Sequence, residues 1–247
     1  MRTECAASES LYPESLAGGF THVDGTVAFY SRVNALLSPD AVVADLGAGR
    51  GCFLEDPVVY RRELRRLQGK VARVIGLDVD SAVLTNPAVD EAHVVTAGGS
   101  FPLADSSVDM IVSDFTFEHV TEPGHVGREI ARVLRPGGWL CARTPNRFGY
   151  IGIPTRIVPN RLHDRVLARV QPDKQQQDTF PTVYRLNSTR DLHRHFPERE
   201  FMHCTYTADS EPAYFGNSAT ARRIARSVSN LIPAPYRSVL YVFLRRR

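Results

Sequence analysis

Cysteine is scarce in this chain of 247 residues, and none of it is spaced for a metal site. The four cysteines, Cys5, Cys52, Cys141 and Cys204, are widely separated, and the sequence has no CxxC pair and no paired histidine spacing typical of zinc. No carboxylate cluster points to another catalytic metal. We therefore expect free thiols and no bound metal.

Long hydrophobic runs are absent as well. No apolar stretch approaches the roughly 20 residues that a membrane span requires. The N-terminus MRTECAASESLYPES carries acids in place of the basic and then apolar order of a secretory signal. A hydrophobic content of 43% is ordinary for a globular protein. We expect a soluble, cytoplasmic protein without a transmembrane segment, whose length suits one large α/β domain.

Lysine is nearly missing, since it occurs only at positions 70 and 174, and almost all positive charge is arginine. The 30 basic residues are nearly balanced by 27 acidic ones, which argues against a protein whose main task is to neutralise a nucleic-acid backbone. Arginine runs at 61–66, 221–226 and 245–247 fit solvated helix faces and a tail. We expect no nucleic-acid partner, and the oligomeric state stays open.

Short β-branched runs alternate with longer amphipathic stretches up to about residue 145. They predict strands at 42–46, 71–78, 92–97, 108–113 and 138–144, with helices at 57–67, 81–84 and 122–134 between them. Asp56 and Pro57 look like the N-cap and the first residue of the first helix. This order predicts right-handed crossovers and a doubly wound, Rossmann-like α/β fold with a mostly parallel, seven-stranded sheet.

The alternation fails from about residue 146 to 191, where prolines punctuate a segment rich in arginine, glutamine and aromatic residues. We expect an inserted cap here, with a helix at 161–170 that packs over a cleft. Two late strands, at 200–208 and 238–244, would be joined by a helix at 219–231. The expected single domain comprises an N-terminal cap at 1–40, a cofactor-binding core at 41–145, the insert at 146–191 and a C-terminal unit at 192–247.

The stretch VVADLGAGRGCF, residues 42–53, places an acid and three glycines behind an apolar run. A strand that ends at Asp45 and turns through Gly47, Gly49 and Gly51 lets backbone N–H groups approach a ligand that side chains would block. A tight structural turn is the alternative explanation. A dinucleotide site would want G-x-G-x-x-G, but Cys52 holds the sixth position. An acid ahead of the first glycine suits a ligand with an ammonium group, such as S-adenosylmethionine (SAM).

Further motifs follow in a consistent order. DLGAGRG at 45–51 resembles motif I of the class I SAM-dependent methyltransferases, and VIGLDVD at 74–80 ends a second strand in an acid, as that family does. FPLADSSVDMIVS at 101–113, DFTFEHV at 114–120, EIARVLRPGGWL at 129–140 and TPN at 144–146 resemble later stretches of its small-molecule branch, the type 11-like methyltransferases. The resemblance covers about residues 20–146 and implies a SAM-dependent methyltransferase.

The resemblance also implies a cofactor site. Asp45 would face the ammonium group, and Asp78 would bind the ribose hydroxyls. Ala97 stands where the family commonly has an acid for the adenine, so the backbone of 98–100 and the Phe101 ring would hold adenine instead. The spacer 52–56 ahead of the helix weakens any help from a helix dipole in holding the methionine carboxylate. The full predicted set is Asp45, Gly47, Ala48, Gly49, Gly51, Asp78, Val79, Gly99, Ser100, Phe101, Asp114 and Phe115.

Several of these residues have ordinary structural alternatives. Asp78 could cap the helix at 81–84, and Asp114 could be a helix N-cap. His119, the candidate general base, could equally be a hydrogen-bonded histidine on a buried helix face. Tyr30 and Arg32 belong either to an N-terminal helix that covers the cofactor or to simple packing and surface charge. Tyr184 and Arg185 lie where the insert could meet a substrate.

The resemblance implies in-line methyl transfer, in which orientation is the main contribution of the protein. A phenol or alcohol acceptor would gain from His119 as a base, whereas a neutral amine would not need one. The chain reads SDFT after strand four and lacks N/D-P-P-Y/F, which disfavours methylation of nucleic-acid bases or of glutamine, and no Pro-Cys nucleophile is present. We expect a small-molecule acceptor, methylated on oxygen or nitrogen, and the arginine-rich insert suggests an anionic group on it. Two alternatives remain, a catalytically silent binding or scaffold protein and an NAD(P)-dependent oxidoreductase.

Overall fold

The computed structural model describes residues 12–149, 181–209 and 232–247. The predicted helices at 161–170 and 219–231, and Cys5, lie outside the described residues. The described α-helices are α1 (Gly25–Leu36), α2 (Val59–Arg65), α3 (Pro123–Val133) and α4 (Thr189–His195). The described strands are β1 (Val42–Leu46), β2 (Arg73–Asp78), β3 (Glu91–Val94), β4 (Val108–Asp114), β5 (Leu134–Pro145), β6 (Phe201–His203), β7 (Tyr206–Ala208) and β8 (Val239–Arg246). Short 3₁₀ helices lie at Pro13–Leu16, Cys52–Glu55, Ser81–Thr85, Phe117–His119 and Ala234–Tyr236.

All eight strands form one sheet in the order β3-β2-β1-β4-β5-β8-β6, with β7 also paired to β8. Strands β1 to β5 are parallel, and β8 is antiparallel to its neighbours. The predicted Rossmann-like, mostly parallel α/β fold is confirmed. The strand predicted at 200–208 is divided into β6 and β7, but both keep one register along β8, and the N–H of Cys204 between them donates to the carbonyl of Phe243 at 2.8 Å. The eight strands therefore occupy the seven predicted positions.

The expected helix boundary at Asp56 is wrong. Helix α2 begins at Val59, and its N-cap Val58 makes no side-chain capping bond. The carboxylate of Asp56 instead accepts the Val58 N–H at 2.9 Å and binds Arg61. Asp56 thus orders the loop ahead of the helix, and α2 has only seven residues.

Strand β5 begins earlier than predicted, at Leu134 and not at 138. Leu134 pairs with Val108 immediately after α3, and the register then shifts before Met110 meets Trp139. Gly137, whose φ is 84°, therefore lies inside an irregular strand.

Apolar side chains are buried against both faces of the sheet. Phe29 and Val33 of α1 pack with Val43, Val112 and Tyr241 on one face. On the other face, α3 and α4 supply Ile130, Val133 and Leu192, which pack with residues such as Ala44 and Leu140. Within the described ranges, no helix combines the length and the hydropathy needed to cross a membrane.

The sheet order places a topological switch point between β1 and β4. The chain runs outward from β1 to β2 and β3, and then returns to β4 on the other side of β1. In open α/β sheets, ligands bind beyond the carboxyl ends of the strands at such a point. Those ends are Leu46, Asp78 and Asp114, which directs attention to the loops that follow them.

Candidate cofactor site

A bare backbone bend follows β1. Gly47, Gly49 and Gly51 all have positive φ, of 85°, 50° and 76°, where residues with a side chain are strained. A Cβ at Gly47 would lie 2.0 Å from Oγ1 of Thr116, and one at Gly51 would lie 2.4 Å from Oδ1 of Asn86. The N–H of Gly47 donates to the Leu77 carbonyl at 2.7 Å. The backbone conformation therefore favours glycine at all three positions, and space also requires it at Gly47 and Gly51, whereas a Cβ at Gly49 would approach only Asp78 at 4.0 Å.

The bend is held from below by Asn86. Its side-chain amide donates to the carbonyls of Ala48 at 3.1 Å and Gly49 at 3.0 Å. These bonds occupy carbonyl oxygens of the bend and fix its shape. A pre-shaped loop lowers the entropy cost of binding a ligand against it.

Asp78 closes β2 beside the same bend. One carboxylate oxygen accepts the N–H of Gly49 at 2.8 Å, and the other accepts the N–H of Asp80 at 2.9 Å. Each oxygen of a carboxylate can accept more than one bond, so Asp78 keeps the capacity to bind two hydroxyls. The 3₁₀ helix at Ser81–Thr85 is capped by Asp80, not by Asp78. The next residue, Val79, is 50% exposed.

Asp45 lies one strand away and faces the α1 and α2 side, since it shares a face of β1 with the buried Val43. Its side chain makes no hydrogen bond or salt bridge with any residue in the described ranges. Burial, followed by the negative charge of Asp114, raises the pKa of Asp45 to about 7, although Arg65 acts in the opposite direction. A carboxylate left without a partner in such a site suits a cationic ligand group.

Asp114 at the end of β4 has a different environment. Both of its oxygens bind the guanidinium of Arg143, one by a short contact with Nε and the other with Nη2 at 2.9 Å. Tyr30 donates its hydroxyl to the same carboxylate at 3.3 Å, and Nη2 of Arg65 lies 3.5 Å away. Burial alone would raise the pKa of Asp114, but the charge and hydrogen bonds of Arg143 outweigh burial and lower it. Its acceptor capacity is therefore largely used within the protein.

Phe115 follows with an unusual backbone. Its φ is 55°, which a bulky residue adopts only under constraint. The N–H of Phe115 donates to the Arg143 carbonyl at 2.9 Å, and the Arg143 guanidinium lies 4.8 Å from the ring centroid. The ring is 40% exposed at the switch point.

The predicted adenine segment is divided between the surface and the core. Ser100 is exposed, and the carbonyl of Gly99 accepts a bond from His125 Nε2 at 2.9 Å. Phe101 is 6% exposed, and its N–H donates to the buried carboxylate of Glu129 at 2.7 Å. The Phe101 ring therefore packs in the core and leaves little surface for a ligand.

His119 ends the 3₁₀ helix after β4. Its Nδ1 lies 3.1 Å from the carbonyl of Pro181, which can only accept, so Nδ1 carries the hydrogen and the lone pair of the neutral ring is on Nε2. Tyr184 donates its N–H to the Glu118 carbonyl, and Arg185 donates to the Thr121 carbonyl at 2.7 Å. The described end of the predicted insert thus packs against the segment that carries His119.

The structure separates Tyr30 from Arg32. Tyr30 reaches Asp114, whereas Nε of Arg32 donates to the hydroxyl of Tyr206 on β7 at 3.0 Å.

The prediction of a solvated arginine face at 61–66 is wrong for two residues, because Arg61 binds Asp24 and Asp56 and Arg65 lies under α1. Arg143 was also missed, although its alternation with the buried Cys141 placed it on an inward face.

The sequence matches known proteins over this region. Residues 44–142 match the family model described as a methyltransferase domain. A probable S-adenosylmethionine-dependent methyltransferase of Mycolicibacterium smegmatis is 41% identical over 156 residues, which cover 53% of this chain and 59% of that protein. An uncharacterized methyltransferase of Mycobacteroides abscessus is 50% identical over 147 residues, with 56% of this chain and 51% of the relative covered. The chain thus spans less than two thirds of the length of these curated relatives.

Among solved structures, the putative methyltransferase in complex with the Trm112 methyltransferase activator of Haloferax volcanii superposes with a TM-score of 0.54 at 18% identity, covering 100% of this chain and 97% of the other. At this identity the likeness shows the fold alone. The family model and the mycobacterial relatives show that residues 44–142 are similar to a methyltransferase domain, and the superposition agrees with the fold of that domain.

Proposed function

We propose that this protein transfers a methyl group from SAM to a small-molecule acceptor. The observation that carries the proposal is the pair of carboxylates at the ends of β1 and β2, with a glycine-rich bend between them. Asp45 has no hydrogen-bond partner within the described ranges and suits an ammonium group, while Asp78 is already oriented by Gly49 and Asp80. Bound there, SAM would supply a sulfonium-activated methyl group.

The residues of this chain would act mainly by binding and orientation. Asp45 would hold the amino group, Asp78 the ribose hydroxyls, and the exposed Val79 one side of the adenine. Helix α1 would cover the amino acid tail, since Thr26 and Tyr30 reach the ends of β5 and β4. Correct alignment alone contributes effective molarities on the order of 10⁵ to 10⁸ M, so no dedicated base is obligatory.

His119 is proposed as the general base for a hydroxyl acceptor. The donation from Nδ1 to Pro181 fixes the tautomer, with the basic lone pair of the neutral imidazole on Nε2. Methylation of an oxygen or a nitrogen, a small-molecule acceptor and an anionic group on it remain proposals that rest on the sequence motifs. Cofactor contacts also remain proposals for Gly99, Ser100, Phe101, Asp114 and Phe115. The surroundings favour them least for Phe101, which is buried, and for Asp114, which binds Arg143.

A ligand comparison tests the cofactor. We expect S-adenosylhomocysteine, the demethylated product, to raise the melting temperature, because a ligand that binds only the folded state stabilises it. NAD at the same concentration should have no effect. Stabilisation by NAD alone would support the oxidoreductase alternative and overturn the proposal.

Transfer is tested with SAM labelled on its methyl group and a metabolite extract of the host. We expect label in a small-molecule fraction with the wild type and, at the same low SAM concentration, much less label with Asp78→Ala. A solved [4+2]-cyclase with a TM-score of 0.51 at 14% identity, covering 88% of this chain and 80% of that one, illustrates that this fold does not fix the chemistry. Binding of SAM without transferred label would favour the silent binding protein.

A further inference from the structure

We propose that Arg65 binds the carboxylate of the cofactor's amino acid tail, next to the ammonium group held by Asp45. The inference rests on the proposed function, and it assigns a binding role to a residue outside the sequence motifs. Arg65 belongs to α2, and its guanidinium lies 5.0 Å from the centroid of the Phe53 ring and 5.6 Å from that of Tyr30. It therefore sits between the glycine bend and helix α1.

The hydrogen bonding of Arg65 is incomplete. Its Nε is buried and has no hydrogen-bond partner among the described residues, and Nη2 reaches Asp114 only at 3.5 Å. A buried donor without a partner is costly, so such groups are uncommon in folded proteins unless a ligand or water completes them. The side chain keeps 23% exposure, which leaves access from the site.

The neighbouring arginines have their partners within the protein. Arg143 binds both oxygens of Asp114 and also donates to Thr26 at 3.0 Å. Arg61 donates to Asp24 and to Asp56. Of these three arginines, Arg65 is the one whose donors are not all paired within the part of the chain that the structure describes.

The bend itself lacks the usual alternative for holding a carboxylate. A helix that begins at the glycines would direct its N-terminal N–H groups and dipole at an anion. Here the 3₁₀ helix Cys52–Glu55 follows Gly51, and α2 begins only at Val59. A side-chain cation would therefore supply the positive charge that no α-helix N-terminus supplies at this bend.

The charges around the tail match an amino acid. Asp45 lies on the face of β1 that α1 covers, Arg65 lies over the ring of Tyr30 in that helix, and the positive charge of Arg65 acts on Asp45. The ammonium and carboxylate of an α-amino acid leave from one carbon, so a carboxylate and a guanidinium side by side complement both. The planar fork of arginine suits bidentate binding of a carboxylate.

The test compares two ligands that differ only in the carboxylate. S-adenosylhomocysteine and its decarboxylated form, the corresponding amine, are titrated by calorimetry into the wild type, Arg65→Met and Arg65→Lys. We expect Arg65→Met to lose about 10- to 100-fold in affinity for S-adenosylhomocysteine, as expected for a hydrogen bond between charged groups. Affinity for the decarboxylated ligand should change less than about threefold, because its contacts exclude Arg65. Arg65→Lys should recover part of the loss, since it restores the charge without the fork.

Arg66→Met is the matched control, because it removes the same charge from the neighbouring, exposed residue. It should leave both affinities unchanged. Binding of the decarboxylated ligand also reports that each variant is folded. If Arg65→Met binds neither ligand, the affinities of Arg65→Lys are compared with those of the wild type instead. In a variant that still binds the decarboxylated ligand, equal partial losses for both ligands, or no loss for either, would overturn the role of Arg65 while leaving the proposed function intact. Failure of the wild type to bind S-adenosylhomocysteine would overturn the proposed function as well.

Discussion

The backbone N–H of Gly49 donates to the carboxylate of Asp78 at 2.8 Å, which joins the bend after β1 to the end of β2. The side chain of Asp78 is therefore oriented before any ligand arrives. Asp45, on the other side of the bend, has no such bond among the described residues. The two acids should consequently respond differently to ligands that lack one part of the cofactor.

Alanine substitutions should separate the two roles. Asp78→Ala is expected to reduce affinity at least tenfold for both S-adenosylhomocysteine and 5′-methylthioadenosine, because both ligands carry the ribose. Asp45→Ala should weaken S-adenosylhomocysteine by a similar factor and leave methylthioadenosine unchanged, since the latter has no amino acid tail. Calorimetric titration of each variant with each of the two ligands measures these affinities. Undiminished affinity of both folded variants for S-adenosylhomocysteine would remove the basis of the cofactor assignment.

A pair of glycine substitutions tests the geometry of the bend. Gly47 and Gly69 have nearly equal φ, of 85° and 82°, but a Cβ at Gly69 would meet no atom within 4 Å. Gly69→Ala should cost about 1 kcal/mol for the left-handed backbone alone. Gly47→Ala should cost about 2 to 4 kcal/mol, because its Cβ also collides with Thr116. Urea unfolding of both variants gives the comparison, and equal losses would mean that the space around Gly47 is unimportant.

The sheet and the bend could be predicted because their signals are local. Apolar runs of strand length and the three glycines lie within short windows, and β1 agrees with its predicted bounds. The acids at positions 45 and 78 follow from the same windows, since the ends of parallel strands meet at one edge of the sheet. The roles given to the site residues stay predictions.

The buried arginines could not be predicted in the same way. The run RRELRR is typical of an exposed helix face, and only the packing of α1 over α2 buries Arg65 there. The partners of Arg61 lie 37 and 5 residues away in sequence, at Asp24 and Asp56, so the first pairing depends on tertiary structure.

Cofactor affinity should depend on pH through Asp45. Its pKa of about 7 means that the carboxyl is largely neutral below pH 7, whereas an ammonium ligand favours the ionised form. Affinity for S-adenosylhomocysteine should therefore fall as the pH decreases from 8 to 5.5, with a slope that approaches tenfold per pH unit. Methylthioadenosine is the control ligand and should show a flat profile. An affinity for S-adenosylhomocysteine that does not change with pH would contradict the dependence of binding on the ionisation of Asp45.

The Asp114–Arg143 pair should matter for stability. Both side chains are at most 10% exposed, and Asp114→Asn would leave the Arg143 charge buried without its counterion. We expect a loss of about 3 to 5 kcal/mol in the free energy of unfolding at pH 7. Because the pKa of Asp114 is lowered, this stabilisation is present above the ordinary aspartate pKa and disappears as the pH falls below it. Glu200→Gln, which removes an exposed pair with Arg199, should cost less than about 1 kcal/mol.

Removing the charge of Asp45 should stabilise the protein without ligand. The pKa of Asp45 is about 7 in the folded protein and about 4 in the unfolded chain, so the unfolded chain loses this proton at a lower pH. Folding therefore becomes less favourable as the pH rises from about 4 to 7. Asp45→Asn removes this penalty, which amounts to about 4 kcal/mol at most above pH 7. The melting temperature of the variant without ligand should therefore exceed that of the wild type at pH 8, and the difference should vanish near pH 4.5. The same variant should bind S-adenosylhomocysteine poorly at both values. Equal melting temperatures at pH 8 would indicate that ionisation of Asp45 does not destabilise the folded protein, and that the pKa of this group is not raised.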